Sequence, residues 1–545
     1  MVIRPGFTGL LLLAGLLVSA CAAHGADTDL GRAFRELEKS GAVIGEVRVD
    51  ARNIFDLADP AESGLFYRTV NQLHIVTRQQ VIARMLLFRS GEKVSVQKIE
   101  ETERILRSLR TIHDIDIRPT ARPDGRVDIE VTTRDAWSLD LTGSFSRSGG
   151  NNKSSFGVRE RNLLGTGLSI GYARTSDLDR DGTQFEASYA QAFDGWTRIA
   201  YDHGYFSDGS RSSFVIDRPF YSLDTRFGAR AEWSDDDRID PIYNAGNVVS
   251  EFRHHVEVFD FAVGWSPGLV RGWTQRFSIG AHASNDTYRE EAGHVPPVPL
   301  PVDHQVRAPY VRYELLEDDF VKVTNYNNIA RPEFFELGFH LQAQVGRSLE
   351  NLEATDTNWL YSIRVSDGAT LASGGQLLGK AAIERRIAST ATPMTQGGVE
   401  AQLHLPLRSN ALYYASLAAD RVKGGGVADQ LLLGGTEGLR GYPSRYQSGD
   451  SRVLGTMELR WYSDWYLFRL VRVGGAAFVD AGRAWGGPNQ NTVNGGWLAD
   501  VGAGLRLALD RTARANVLHL DVAVPLSRAP GIKSVQFLVK TELAF

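Results

Sequence analysis

Few side chains in this sequence have the types and spacing that metal binding or catalysis would require. In the segment 177–182 aspartates alternate before a glycine, as in the first half of a calcium-binding loop. The twelfth position, where such a loop needs a glutamate, is Ser188. The pair His254-His255 lacks the four-residue spacing of the zinc ligands on a metalloprotease helix. We therefore expect a protein that is not an enzyme and that carries neither a metal ion nor a cofactor.

Two short motifs in the C-terminal third combine charge with glycine. The first is Leu439-Arg440-Gly441-Tyr442, which lies in a segment too polar to face lipid, and Gly441 has the backbone freedom for a sharp turn. The second is Phe478-Val-Asp480-Ala-Gly482. A guanidinium and a carboxylate can pair through two parallel hydrogen bonds, which suits the fixing of a loop in one register.

Both motifs lie in a region that has the pattern of β-strands. From Trp137 onward, short alternating segments are separated by Gly, Asn, Asp and Pro. In the last segment the outward face is Val535, Phe537, Val539, Leu543 and Phe545, interrupted by Thr541. A sheet spans a bilayer only when it closes and pairs every backbone group. Residues 135–545 therefore predict a transmembrane antiparallel β-barrel of about 16 strands. A large soluble β-sandwich or propeller is the alternative.

The N-terminus has the features of an export signal, which we place at residues 1–26. Arg4 precedes an apolar run from Leu10 to Val18 that is too short to span a bilayer. Cys21 is the only cysteine, so no intramolecular disulfide can form. It follows Val18-Ser19-Ala20, a sequence that resembles the lipobox of bacterial lipoproteins, and acylation of Cys21 is one prediction. An ordinary signal-peptidase site with a small residue at 21 is the other.

Composition excludes some classes of protein without selecting one. The net charge is −5 and no basic cluster suggests nucleic-acid binding. The mean hydropathy is −0.22, and after the export signal no apolar stretch is long enough for a transmembrane helix.

A small α/β domain is predicted between the signal and the barrel. Residues 27–43 form a short helix and linker, and the domain itself covers 44–134. Its elements are a strand at 44–49, a helix from about Arg78 to Gly91, a second helix from about Val96 capped by Ser95, and strands at 115–117 and 127–131.

That order of elements resembles a POTRA domain, and the rest of the chain resembles the barrels of the BamA, TamA and FhaC superfamily. The segment 157–167 looks like the superfamily's early barrel hairpin, and 434–442 is similar to its VRG(F/Y) loop motif. The motif from Phe478 to Gly482 is similar to its F-x-D-x-G strand motif. The resemblance implies that the loop folds back into the lumen, where Arg440 meets Asp480. The alternative is that Arg440 lies in an ordinary solvated turn.

The resemblance also implies a function. We expect an outer-membrane assembly, insertion or translocation factor whose POTRA-like domain, in the periplasm, receives unfolded or exported client proteins. The seam between the first and last strands would insert or pass them, and Phe545 would be the signal read by the barrel assembly machinery. A single POTRA-like domain and a last strand without glycine, although Gly143 lies in the first, depart from the family. A two-partner secretion transporter, or a passive pore or structural barrel, is the alternative.

Overall fold

The computed structural model describes residues 29–148, 151–176, 180–487, 495–512, 516–527 and 531–543. The predicted export segment 1–26, Cys21 and Phe545 lie outside these ranges. Among the described helices, none has the length and apolar composition that crossing a membrane requires.

The N-terminal part of the chain is a three-stranded sheet covered by helices, which we call the N-terminal domain. The sheet order is β1-β3-β2, with β1 parallel and β2 antiparallel to the central strand. Apolar residues from the sheet and helices form one core that includes Phe34, Ile99 and Val131. The elements are α1 (Asp29–Lys39), β1 (Ile44–Arg52), α2 (Leu65–Leu73), α3 (Gln79–Ala83), α4 (Val96–Ser108), β2 (Ile112–Ala121) and β3 (Val127–Asp135).

The helices of this domain differ from the prediction in two places. The helix expected from Arg78 to Gly91 is only the short α3, and the buried side chains of Met85 and Phe88 reach the core from irregular backbone. Helix α2 was not predicted. The second predicted helix is confirmed as α4, and the side chain of Ser95 accepts a hydrogen bond from its first turn.

The remainder of the chain is a closed antiparallel barrel. Strands β4–β13, β16–β20 and β23–β27 form its wall, while β14 pairs with β15 and β21 with β22 as separate hairpins. The bounds are β4 (Leu139–Ser148), β5 (Asn151–Leu163), β6 (Leu168–Ser176), β7 (Asp181–Ala192), β8 (Thr197–Phe206), β9 (Gly209–Arg218), β10 (Phe227–Asn244), β11 (Asn247–Val270), β12 (Trp273–Arg289), β13 (His304–Glu317), β14 (Phe320–Thr324), β15 (Pro332–Glu336), β16 (His340–Ser348), β17 (Asn358–Thr370), β18 (Gln376–Ile387), β19 (Pro393–Arg408), β20 (Ala411–Lys423), β21 (Leu431–Leu433), β22 (Gln447–Gly449), β23 (Ser451–Leu467), β24 (Val471–Trp485), β25 (Leu498–Leu509), β26 (Asn516–Pro525) and β27 (Gln536–Leu543).

The predicted fold class is confirmed, but the strand number is higher than expected. In the described part of the chain the ring contains twenty strands rather than about 16. Tight turns at 207–208 and 245–246 leave more of the chain for the wall than a barrel with long loops would have. The first and last strands close the ring as an antiparallel pair, with Val539 opposite Arg147.

The side chains of the last strand alternate between the outer and the lumenal face of the wall. Phe537 is 60% exposed on the outside, whereas Gln536 and Leu538 are buried on the other face. The predicted orientation of these residues is therefore confirmed.

The N-terminal domain lies against the turns at one end of the barrel, which we call the domain end; the other is the distal end. The backbone N–H of Arg78 donates to the carbonyl of Gly165 at 2.9 Å in the β5–β6 turn. The side chain of Gln191 donates to the carbonyl of Val81 at 2.8 Å. On the other side of the seam, Arg511, in the turn after β25, pairs with Glu62 at 2.8 Å. The domain therefore contacts turns on both sides of the seam.

Candidate functional site in the barrel lumen

The loop between β20 and β23 leaves the distal end and folds into the lumen. We call residues 424–450 the inward loop. Its own hairpin, β21 with β22, places Leu433 opposite Gln447. Leu439 and Tyr442 are fully buried, in a cluster that also contains Ala484 and Leu498 of the wall. The sequence motif at 439–442 therefore lies inside the barrel rather than in a solvated turn.

Arg440 contacts two wall strands through its guanidinium group. Nε and one terminal nitrogen donate to the two carboxylate oxygens of Asp480 at 2.7 and 2.8 Å. The other terminal nitrogen donates to Glu458 at 2.6 Å. The guanidinium carbon also lies 3.4 Å from the ring centroid of Phe478, a cation–π contact. The structure thus brings together Arg440, Phe478 and Asp480.

The electrostatics keep Arg440 charged although little water reaches it. Its side chain is 15% exposed, and that of Asp480 is 2% exposed. Burial opposes the charge, but the hydrogen bonds to Asp480 and the nearby carboxylates of Glu458 and Asp521 raise the pKa of the guanidinium. An ion pair with so little exposure gains more from its geometry than a surface pair does.

The neighbouring motif residues make further contacts between the inward loop and the wall. The hydroxyl of Tyr442 donates to the carbonyl of Ala499 at 2.8 Å on strand β25. Gly441 packs against Asp500 of the same strand, and Gly482 lies beside Leu433 of the inward loop. A side chain at either glycine would clash with this close approach.

Comparison with known proteins agrees with this geometry. Residues 353–541 match the family model described as the Omp85 superfamily domain. These residues are therefore similar to an Omp85 domain. The predicted resemblance to this superfamily is confirmed, and both lumenal motifs lie within the matched residues.

Three solved structures are similar to the whole chain at low identity. CdiB from Escherichia coli is 14% identical, with 93% of this chain and 77% of that chain covered and a TM-score of 0.48. CdiB from Acinetobacter baumannii is 10% identical, with 92% and 73% covered and a TM-score of 0.43. BamA from Haemophilus ducreyi, in a structure lacking POTRA domains 1–3, is 12% identical, with 92% and 85% covered and a TM-score of 0.37. No curated protein matched the sequence.

Sequence reasoning missed the charged wall residues that surround Arg440. Glu458 also accepts a hydrogen bond from Arg460 at 2.7 Å and lies 3.6 Å from Arg506. Arg506 in turn donates to Asp521 at 2.5 Å. The available signal was the two-residue spacing of Glu458 and Arg460, which puts both on the lumenal face of β23.

A second element enters the barrel from the domain end. The hairpin of β14 and β15, with its tip at 325–331, reaches into the lumen, and we call it the lower hairpin. The carbonyl of Tyr326 at its tip accepts a hydrogen bond from Arg460 at 2.9 Å. The Tyr326 ring stacks on His404, with 4.9 Å between centroids, and its hydroxyl bonds to Gln376. Ile329 is buried beside Leu412 of the wall.

Glu333 organises the tip of the lower hairpin. Its carboxylate accepts backbone N–H bonds from Tyr326, Asn327 and Asn328 at 3.3, 3.1 and 2.9 Å. Burial raises the pKa of Glu333 to about 7, against the effect of these donors. The carboxyl group therefore titrates near neutral pH while the hairpin is docked.

The lower hairpin is also bound to the N-terminal domain. Lys322 pairs with Glu103 of helix α4 at 2.8 Å, and Arg331 donates to the carbonyl of Ile112 at 3.1 Å. A continuous set of contacts therefore runs from the domain through Tyr326, Arg460 and Glu458 to Arg440 of the inward loop.

Two further positions have a clear structural reading. Asp135, the last residue of β3, is fully buried and bonds to His74 at 2.9 Å and to Thr77 at 2.7 Å. The Thr77 hydroxyl also accepts a hydrogen bond from Asn162 of β5 at 2.7 Å, so this cluster joins the domain to the wall. The segment Gly167–Gly171 spells the G-x-S-x-G pattern of serine hydrolases. Ser169, however, lies within strand β6 rather than at a strand-to-helix turn, so it is not a nucleophile elbow.

Proposed function

We propose that this protein inserts client proteins into the outer membrane or passes them across it, with the N-terminal domain acting as a POTRA domain in the periplasm. The observation that carries the proposal is the inward loop, held by Arg440 on Asp480. Two elements from opposite ends occupy the lumen, and both bind Glu458 or its partner Arg460. A filled lumen favours a route at the wall over a permanently open central pore.

The route that we propose is the seam between β4 and β27. These strands are the two ends of the chain's barrel, and they pair antiparallel. A client strand could take the place of one of them, because exposed strand edges pair without sequence specificity. Strand β2 is an outer strand of the domain sheet and offers a similar edge for the first contact with a client.

A disulfide across the seam tests this route. Arg147→Cys and Val539→Cys place a pair at opposed positions of β4 and β27. The matched control is Ala200→Cys with Val215→Cys, opposed positions of β8 and β9 away from the seam. Both pairs are made with Cys21→Ala, so no other cysteine remains.

The assay is the folding of a urea-unfolded outer-membrane barrel in liposomes that contain each variant. We expect oxidation of the seam pair to lower the folding rate at least tenfold and reduction to restore it, while the control pair has no effect. Equal rates for the seam and control pairs would contradict a route at the seam. Passage of an exported client into the vesicle, without insertion, would favour the secretion-transporter alternative.

A further inference from the structure

Helix α2 presents apolar side chains to the outside instead of to the core. Leu65, Phe66 and Leu73 are 82%, 53% and 71% exposed, and Ile75, just after the helix, is 53% exposed. We call these four residues the α2 face. At about 100° per residue, Leu65, Phe66 and Leu73 fall within one side of the helix.

This exposure is concentrated in one part of the N-terminal domain. The exposed large hydrophobic side chains of residues 29–135 are those of the α2 face and Leu57. The opposite side of α2 is the one that binds the domain: Asn71 exchanges hydrogen bonds with the backbone of Phe55 at 2.9 and 3.1 Å, and Tyr67 packs on the Phe55 ring at 4.8 Å. The apolar face is therefore turned away from the domain.

Both ends of α2 are attached to the rim of the barrel. Before the helix, Glu62 pairs with Arg511 in the turn after β25. After it, the Thr77 hydroxyl accepts a hydrogen bond at 2.7 Å from the side chain of Asn162, at the domain end of β5. The helix consequently lies at the level of the domain-end rim, beside the strands of the seam.

The α2 face lies at the same end of the barrel as exposed aromatic side chains of the wall. Arg511, which anchors the helix, also donates to the hydroxyl of Tyr466 at 3.3 Å. The neighbouring Trp465 and Phe468 are 67% and 79% exposed at the same end of the wall. Aromatic residues at the end of a barrel wall are typical of the membrane–water interface.

We propose that the α2 face lies in the membrane leaflet at the domain end of the barrel, where it binds the acyl chains of phospholipids. A short helix with apolar side chains on one side and a rim attachment at both ends is suited to lie flat in this layer. Helix α2 carries one charged residue, Arg68, which is exposed on its flank and can meet a lipid phosphate. The contact would fix the N-terminal domain to the bilayer beside the seam. This inference rests on the barrel and not on the proposed client function.

The experiment uses the full-length protein in phosphatidylcholine vesicles, with Cys21→Ala and one environment-sensitive NBD label. Leu65→Cys and Leu73→Cys place the label on the α2 face, and Arg68→Cys is the control on the flank of the same helix. Faster migration of the unboiled sample verifies that each labelled barrel is folded. We expect doxyl-labelled lipid to quench the labels at 65 and 73 at least threefold more than the label at 68, and iodide to show the reverse order.

Two results would overturn the proposal. Strong quenching of all three labels by iodide, with none by doxyl lipid, would place the α2 face in water. Protection of the labels at 65 and 73 only after an unfolded client is added would assign the face to client binding instead.

Discussion

Replacing Arg440 by alanine should release the inward loop while the barrel stays folded. The substitution removes two hydrogen bonds to Asp480 and one to Glu458. Glu458 keeps Arg460 and Arg506 nearby, whereas the groups that remain beside Asp480, the Thr456 hydroxyl at 2.9 Å and the carboxyl group of Asp500, carry no positive charge. The uncompensated charge therefore falls on Asp480, which is almost fully buried.

The size of the effect follows from that burial. Removing one partner of a buried ion pair costs about 3–5 kcal/mol, and the side chain of Arg440 keeps 15% exposure, so about 3 kcal/mol is the expected cost to loop docking. Because roughly 1.4 kcal/mol is a factor of ten, the undocked population should rise about 100-fold. The wall should survive, since its strands are paired around the whole ring.

Limited proteolysis of residues 434–450 in the folded barrel measures this population, because cleavage of a transiently opened segment follows the open fraction. Arg440→Ala should accelerate cleavage about 100-fold by this argument. Asp480→Ala should accelerate it less, because Arg440 keeps Glu458 at 2.6 Å and Asp521 at 3.5 Å. Arg440→Lys should recover only part of the difference, since an ammonium cannot reproduce the two-point contact. Arg364→Ala, which removes an exposed lumenal pair with Glu384, is the control and should cleave like wild type.

The double substitution at 440 and 480 provides the sharpest check. Because the two residues act on the loop as a unit, the double variant should cleave little faster than Arg440→Ala alone. Strictly additive effects, or single variants within threefold of wild type, would refute the reasoning that this ion pair holds the loop.

Further predictions concern the rest of the chain. Glu458→Gln should expose both the inward loop and the lower hairpin to protease, whereas Asp480→Ala should expose the loop alone; equal patterns would contradict the shared contact. Burial raises the pKa of Glu333 to about 7 from its usual 4.5, so docking of the lower hairpin should be strongest below pH 4.5 and should weaken as the pH rises to about 7. In a proteolysis profile from pH 5 to 8, Glu333→Gln should abolish this dependence. Deleting Phe545 should lower the amount of folded protein in the outer membrane, and normal amounts would exclude it as an assembly signal. Intact-mass analysis should find an acylated Cys21 at the mature N-terminus; an unmodified start at a later residue would eliminate lipidation.

The amino-acid pattern was sufficient for those features that depend on neighbours along the chain. Alternation with a period of two predicted the outward Phe537 and inward Gln536, because successive side chains of a strand point to opposite faces. Local capping predicted the start of α4 at Ser95. The resemblance of two motifs was enough to expect Arg440 beside Asp480.

Only the tertiary structure decided which charges meet across the lumen. A period-two pattern states that Glu458 and Arg460 face inward, but not that one reaches Arg440 and the other Tyr326, which lies far away in the sequence. Likewise, β14 and β15 have five residues each and are too short for spanning strands, but the sequence does not show that their turn enters the lumen and reaches Arg460. The strand number depends on how the ring closes, and the exposure of the α2 face depends on where the N-terminal domain meets the rim. Both are decided by contacts between residues that lie far apart in the sequence.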